Sequence, residues 1–244
     1  MQKQLSVDVW SDVACPWCYV GKRHLEGALA RFAHRDAVRV VWRAFELDPG
    51  APRVRQPRSL GGHPQSPGVS HVERIAKKYG MSVAQAEAAT KRLVDAAAED
   101  GITMRFDRIA GGNTFDAHRV IALAGERGMQ DAVKERLLLG YFTQGEAIGE
   151  PQVLVRLAGE AGLPEDEVRA MLAGTSLTDE VRADEAKAAE LGIHGVPFFV
   201  IAGRYGISGA QPADVLLAAL EKGWSGAGEV TTGDGAACSV EGCA

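Results

Sequence analysis

Two cysteines three positions apart, Cys15 and Cys18 in the run Val13-Ala14-Cys15-Pro16-Trp17-Cys18, constrain this chain more than any other feature, because they stand where a strand pattern hands over to a helix pattern. Leu5 to Trp10 alternates apolar with polar residues, the period-2 signature of a half-buried strand, whereas Leu25, Ala28, Leu29 and Phe32 recur at helical spacing. A thiol at such a junction meets unpaired backbone N–H groups and the positive end of a helix dipole, both of which favour the thiolate. The spacing predicts Cys15 at the helix mouth with the lower pKa, and Cys18 one turn further in. Pro16 suits the first helical position, where its missing N–H costs nothing. Trp17 brings an apolar indole and no charge, so it adds nothing to thiolate stability.

In thiol–disulfide exchange a thiolate attacks a disulfide and a second thiol resolves the mixed disulfide. Cys15 is assigned to attack and Cys18 to resolution, with Pro16 and Trp17 on the substrate side. A zinc site or an inert buried pair is the alternative. Zinc needs a second ligand pair, commonly about 15–20 residues away, and the next cysteines are Cys238 and Cys243. Reactive thiol chemistry therefore takes precedence, and it requires neither metal nor cofactor.

Composition narrows the class. The chain has 244 residues, 46% of them apolar, enough for a substantial core without disulfide staples. Its net charge of -5 argues against a general nucleic-acid binder, since such affinity comes mainly from phosphate neutralisation. The N-terminal residues run into the first strand without an apolar signal-like core, and no stretch has the length of a membrane span. The expectation is a cytoplasmic protein without membrane partners. Arg53, Arg55 and Arg58 read as a solvated basic loop.

Val38 to Phe45, rich in β-branched and aromatic residues, continues the opening as β-α-β. Residues 49–69 form a Pro/Gly-rich linker. Helical patterns then follow: from Ser82 to about Glu99, from Thr114 to about Arg127, at 130–145, 151–161 and 164–173, and from Thr178 to Leu191. Strand character returns at Pro197 to Ile201, turns at Ala202-Gly203-Arg204 into Tyr205 to Ile207, and gives way to a helix from Pro212. The resulting division is a small α/β unit from 1–48 and 192–224, an all-helical insertion at 70–191, and a flexible tail at 225–244.

Once Cys-Pro-Trp-Cys is joined to Gly195-Val196-Pro197-Phe198-Phe199 ahead of a hairpin, the chain resembles the thioredoxin superfamily. Within it, Asn113-Thr114-Phe115-Asp116-Ala117-His118-Arg119 and Ser208-Gly209-Ala210-Gln211-Pro212 look like the DsbA-like branch of the FrnE type. The resemblance implies an α/β thioredoxin-like fold with a large all-helical insertion domain. It also implies a cis Val196-Pro197 bond lying against the dithiol. Pro197 then takes part in catalysis, and the Val196 backbone pairs with an extended substrate by strand addition. Asn113 is a candidate lining residue or a helix-capping neighbour of Thr114. Glutathione-dependent transferases and 2-hydroxychromene-2-carboxylate isomerases on the same scaffold are the competing reading. They resemble this chain less at two positions, typically having serine where Cys15 stands and an acid where Ala210 stands.

The implied activity is a protein disulfide oxidoreductase, a reductase or isomerase. Its partners are proteins bearing thiols or disulfides, with glutathione or a thioredoxin-type reductant as electron source. His24, His118 and His194 read as structural or surface residues, and Asp12 either as a carboxylate close enough to raise the Cys15 pKa or as a solvated loop carboxylate. Cys238 and Cys243 close the chain as a second pair. The 16 residues from Lys222 to Cys238 reach roughly 20–24 Å as a flexible coil, enough to bring this pair back to exchange with Cys15 and Cys18; an unpaired, freely oxidisable or metal-scavenging tail is the alternative, and four thiols sharing a soft metal such as zinc rank third.

Overall fold

The strand that precedes the dithiol is also the strand on which the sheet is built. In the computed structural model, which describes residues 3–52, 71–226 and 238–239, β1 (Leu5–Ser11) buries Leu5, Val7 and Val9 on one face. β2 (Val38–Ala44) runs parallel to it, pairing Leu5 with Val38 through Ser11 with Ala44. α1 (Pro16–Arg31) is the crossover between them. On the other side β4 (Phe198–Ile201) pairs antiparallel with β1, and β5 (Tyr205–Ser208) completes a hairpin, so the sheet order is β2-β1-β4-β5. The hairpin turns at Ala202 and Gly203, both with positive φ (55° and 65°). α9 (Ala213–Ser225) packs back on α1 and on the hairpin.

Between the two halves of the sheet come α2 (His71–Lys78), α3 (Val83–Glu99), α4 (Phe115–Glu126), α5 (Gln130–Leu139), α6 (Pro151–Glu160), α7 (Glu165–Ala173) and α8 (Thr178–Glu190). A π-helical turn at Gly140–Gln144 extends α5. α3 starts on a capping box: Ser82 Oγ accepts from Gln85 N while the Gln85 side chain accepts from Ser82 N. The helices share the sheet's core. Val7, Val9, Leu25 and Phe199 belong to the same buried cluster as Leu93, Val120, Leu137 and Leu154. No helix among the described residues is long and apolar enough to cross a membrane.

Two features depart from the expected layout, the short helix α2 and the C-terminal pairing. α2 had no separate signal, being a short amphipathic turn next to the linker. Most of the 49–69 linker, including Arg53, Arg55 and Arg58, lies outside the described residues. The tail, expected to be flexible throughout, contributes β6 (Cys238–Ser239), which pairs antiparallel with β3 (Gly195–Val196) in a separate two-stranded sheet. Cys243 lies outside the described residues.

The Val196–Pro197 bond is cis. The Pro197 ring sits so close to α1 that a Cβ on Gly21 would come within 2.9 Å of Pro197 Cγ. Six residues on, a Cβ on Gly27 would meet only ordinary contact, with Ala213 Cβ at 3.5 Å. Each Gly→Ala change in a helix interior gains roughly 1 kcal/mol of propensity, but overpacking costs about 1–3 kcal/mol. Gly27→Ala is therefore expected to stabilise the protein by about 0.5–1 kcal/mol and Gly21→Ala to destabilise it by about 1–2 kcal/mol, read from urea denaturation midpoints. Equal shifts for the two would remove the steric role assigned to residue 21.

Candidate active site

Cys15 is the N-cap of α1, with extended backbone (φ -90°, ψ 115°), and Pro16 takes the first helical position. The approach to the helix is a tight turn in which Cys15 N donates to Asp12 O (3.3 Å) and Cys18 N donates to Cys15 O (3.1 Å). The thiol of Cys15 points at the backbone of β3, its Sγ donating to Val196 O at 3.4 Å. Pro197, buried beside it, has no N–H to compete for that sulfur, and its own carbonyl accepts from Gly209 N at 2.9 Å. Cys15, Cys18, Pro16, Val196 and Pro197 are thus gathered at one point, with Trp17 half-buried at the edge. Both cysteines are free thiols.

The expected low pKa of Cys15 is not what this arrangement produces. Burial, and then the neighbouring Cys18 sulfur, push the Cys15 thiol well above its ordinary value, with a smaller contribution of the same sign from the Asp12 carboxylate. The magnitudes explain the outcome. A helix N-terminus is worth about 0.3–1 kcal/mol at an exposed site, whereas full burial moves a pKa by as much as about 3–5 units at roughly 1.4 kcal/mol each. Cys15 has no exposed surface here, so desolvation wins.

Beneath the dithiol lies a set of buried polar groups. Asp12 accepts from Leu47 N (2.8 Å) and Ala14 N (3.2 Å), and its Oδ1 stands 3.4 Å from Nε2 of His118 on α4. Burial drives the Asp12 pKa upward, but His118 and the two backbone donors outweigh it, so the carboxyl titrates below its usual range. His118 Nε2 makes no aligned hydrogen bond among the described residues. Lys134 on α5 is also buried, its ammonium 5.6 Å from the centre of the Trp42 ring. Burial pulls its pKa down to about 8, against the opposing pull of the Cys18, Asp12 and Cys15 charges.

The Asn113 motif does architectural work. Asn113 Oδ1 accepts from Phe115 N (3.0 Å), capping α4, while its Nδ2 donates to Glu46 Oε1 (2.9 Å) and to Pro49 O (3.4 Å). The amide is spent on tying the segment after β2 to α4. Glu46, buried, also accepts from Arg182 at 2.8 Å. Arg119 donates to Met171 O, Gly174 O and Ser176 O, fixing the α7–α8 connection. His24 bridges Gln211 O (2.9 Å) and Asp100 (3.0 Å), and His194 is exposed. Ala210 is buried. The described residues hold no group of three His, Cys, Asp or Glu side chains placed to bind a metal.

Sequence reading missed Lys134 and the meeting of His118 with Asp12. The signal for the lysine was present. Lys134, Leu137 and Leu138 share one helical face by i, i+3, i+4 spacing, so a lysine stands where an apolar residue belongs. His118 offered none, since its partner lies more than a hundred residues away in the chain.

A family model, that of the DSBA-like thioredoxin domain, matches residues 6–221. The solved structure of a probable DsbA oxidoreductase from Streptomyces coelicolor is 44% identical, with 99% of each chain covered and a TM-score of 0.81. Protein YwbO of Bacillus subtilis, itself uncharacterised, is 28% identical over 217 residues, which is 88% of this chain and 94% of that protein. A 2-hydroxychromene-2-carboxylate isomerase shares the fold at 16% identity, with 89% of this chain and 95% of that one covered and a TM-score of 0.64.

The buried lysine has a thermodynamic signature. Its folded pKa of about 8 lies below the unfolded value of about 10.4. Between these two the unfolded chain binds more protons, so stability rises with pH across that window, and below it carries a penalty of roughly 3 kcal/mol. Lys134→Met is expected to be more stable than the parent at pH 7 by up to about 3 kcal/mol, with the difference shrinking toward pH 10.5. Denaturation curves at pH 7, 9 and 10.5 measure it. A difference independent of pH would mean that the ammonium is not desolvated.

Proposed function

The chain belongs to the family of DsbA-like thioredoxin domains, and on that premise we propose that it is a thiol–disulfide oxidoreductase that reduces disulfides in other proteins through Cys15 and Cys18. The observation that carries this reading is the Cys15 thiol, set at the N-cap of α1 and directed at the Val196 carbonyl beside Pro197. In the reaction the Cys15 thiolate attacks one sulfur of a substrate disulfide, forming a mixed disulfide and releasing the first substrate thiolate. Cys18 as thiolate then attacks Cys15 Sγ and releases the second. The substrate gains two electrons, and the protons given up by Cys15 and Cys18 pass to the substrate thiolates. The dithiol is left as a Cys15–Cys18 disulfide.

Reduction, as the direction of electron flow, is part of this proposal, and one observation supports it. A dithiol whose attacking thiolate is strongly stabilised is oxidising, because its reduced form is favoured. Burial raises the Cys15 pKa, the opposite of that arrangement, which supports the reductive direction. The reading includes a cytoplasmic location and an external thiol, glutathione or a thioredoxin-type protein, that restores the dithiol. The tail pair belongs to the same circuit. β6 sets the Cys238 backbone opposite Val196, whose carbonyl takes the Cys15 thiol. Cys238 as thiolate attacks Cys15 Sγ of the active-site disulfide and expels Cys18. Cys243 then attacks Cys238 and expels Cys15, so two electrons move from the tail pair to the active pair.

Three measurements test the assignment. Cys15→Ser is expected to abolish disulfide reduction in an insulin turbidity assay with a thiol reductant. Cys18→Ser is expected to slow it by at least about 100-fold and to accumulate a Cys15–substrate adduct visible by non-reducing mass spectrometry. Equilibration across glutathione buffers, followed by alkylation, is expected to give a Cys15–Cys18 midpoint nearer that of a cytosolic reductant than that of a strong periplasmic oxidant. Adduct formation at Cys18 in place of Cys15 would reverse the roles, and no reversible Cys15–Cys18 disulfide at any poise would overturn the function.

A further inference from the structure

A thiol that attacks other proteins must meet their sulfur atoms, yet Cys15 has no exposed surface. Its Sγ is held against Val196 O. Val196 belongs to β3, a strand that stands outside the four-stranded sheet and whose hydrogen-bonding partner is the chain's own C-terminal segment. The register is Gly195 with Ser239 and Val196 with Cys238, antiparallel. The edge on which an extended substrate would add is therefore already paired. The residue paired with Val196 is a cysteine, as in a substrate presented for attack.

We propose that the C-terminal segment around Cys238–Ser239 is a resident pseudosubstrate, which occupies the Gly195–Val196 edge, closes the site over Cys15 and must be displaced by an incoming cysteine-bearing segment. The inference rests on the oxidoreductase reading above and adds regulation of the same site. It also defines what displaces the tail: an extended segment, antiparallel to Gly195-Val196, with its cysteine opposite Val196. A two-residue ladder is weak as a bimolecular contact. Here it is intramolecular, and short tethers give effective concentrations of about millimolar. Such a contact keeps most molecules closed while leaving the segment displaceable. Closure lowers apparent substrate affinity by the fraction of open molecules, which for an open fraction near a tenth to a third is about 3–10-fold.

The test uses two full-length variants that both lack tail thiols, so redox exchange with the tail is removed from the comparison. C238S/C243S keeps the ladder, whereas C238P/S239P/C243S removes whichever of the two N–H groups the antiparallel ladder uses, because proline has no N–H to pair. In the reduced state the proline variant is expected to be alkylated at Cys15 about 3–10-fold faster than the serine variant, as mapped by mass spectrometry, and to show a similar gain in kcat/KM for a disulfide-containing peptide. A synthetic peptide spanning residues 234–244 with serine at both cysteine positions, added at millimolar concentration, is expected to slow the proline variant again. Far-UV circular dichroism establishes that both variants are folded. Equal Cys15 alkylation rates in two variants that both turn over the peptide would overturn the closure while leaving the oxidoreductase intact. Absence of turnover in both variants and in the parent would instead remove the redox reading on which closure rests.

Discussion

The dithiol end of the protein depends on one close approach, that of the Pro197 ring to the bare Cα of Gly21 on α1. Everything that makes the dithiol a site follows from it. With the ring seated there, the preceding residue, Val196, presents its carbonyl to the Cys15 thiol, and the following residues enter the sheet as β4, in register with β1 from Phe198–Trp10 to Ile201–Val7. The loop is thus anchored on both sides, by helix packing at Pro197 and by the ladder beyond it. Phe199, wholly buried, adds its ring to the same contact: its Cζ would lie 3.4 Å from a Cβ at residue 21. The sheet, α1 and the dithiol are one mechanical unit, and a methyl group at position 21 presses on all three.

Against that frame two electrostatic effects compete for Cys15. The helix end favours a thiolate, as the sequence pattern suggests, but the site is dry and the sulfur carries the full cost of desolvation. Local chemistry sets the first effect and tertiary packing the second, so only the first can be read along the chain. The same division explains the other groups at the site. Asp12 stays ionised although buried, because two backbone N–H groups and an imidazole from a distant helix converge on it. Had Asp12 stood alone in that environment, burial would have raised its pKa and left a neutral acid beneath the sulfur.

Much of the fold was legible because its signals are local. The β-α-β opening, the helix that Ser82 caps and the hairpin each announce themselves within a few residues, and their observed limits lie within a residue or two of the expected ones, whereas Thr114 makes no side-chain cap bond and Thr178 follows an N-cap at Leu177. Ser82 with Gln85 is a complete capping box three residues long. Asn113 was legible only in part. Its helix-capping contact with Phe115 N is local, but its bonds to Glu46 and Pro49 join segments more than sixty residues apart. β6 was not legible at all. A two-residue strand in a Gly-rich setting has neither the length nor the alternation that marks strands, and its existence depends on an unpaired edge elsewhere.

The helical insertion has a further part in this arrangement. It sets His118 against Asp12 and places the buried Lys134 where the charges of Cys18, Asp12 and Cys15 act on it. The thioredoxin-like elements supply the sulfurs, the proline, the strand edge and the Asp12 carboxylate, and the insertion adds His118 and Lys134. Because Lys134 is buried, its ammonium acts through a medium far less polarisable than water, where a unit charge a few ångströms away counts several-fold more than at the surface. Small changes of packing between α4, α5 and α1 therefore alter thiol chemistry without touching Cys15 or Cys18. Two proteins with the same Cys-Pro-Trp-Cys and the same cis-proline loop can differ in redox behaviour through the helices laid over them.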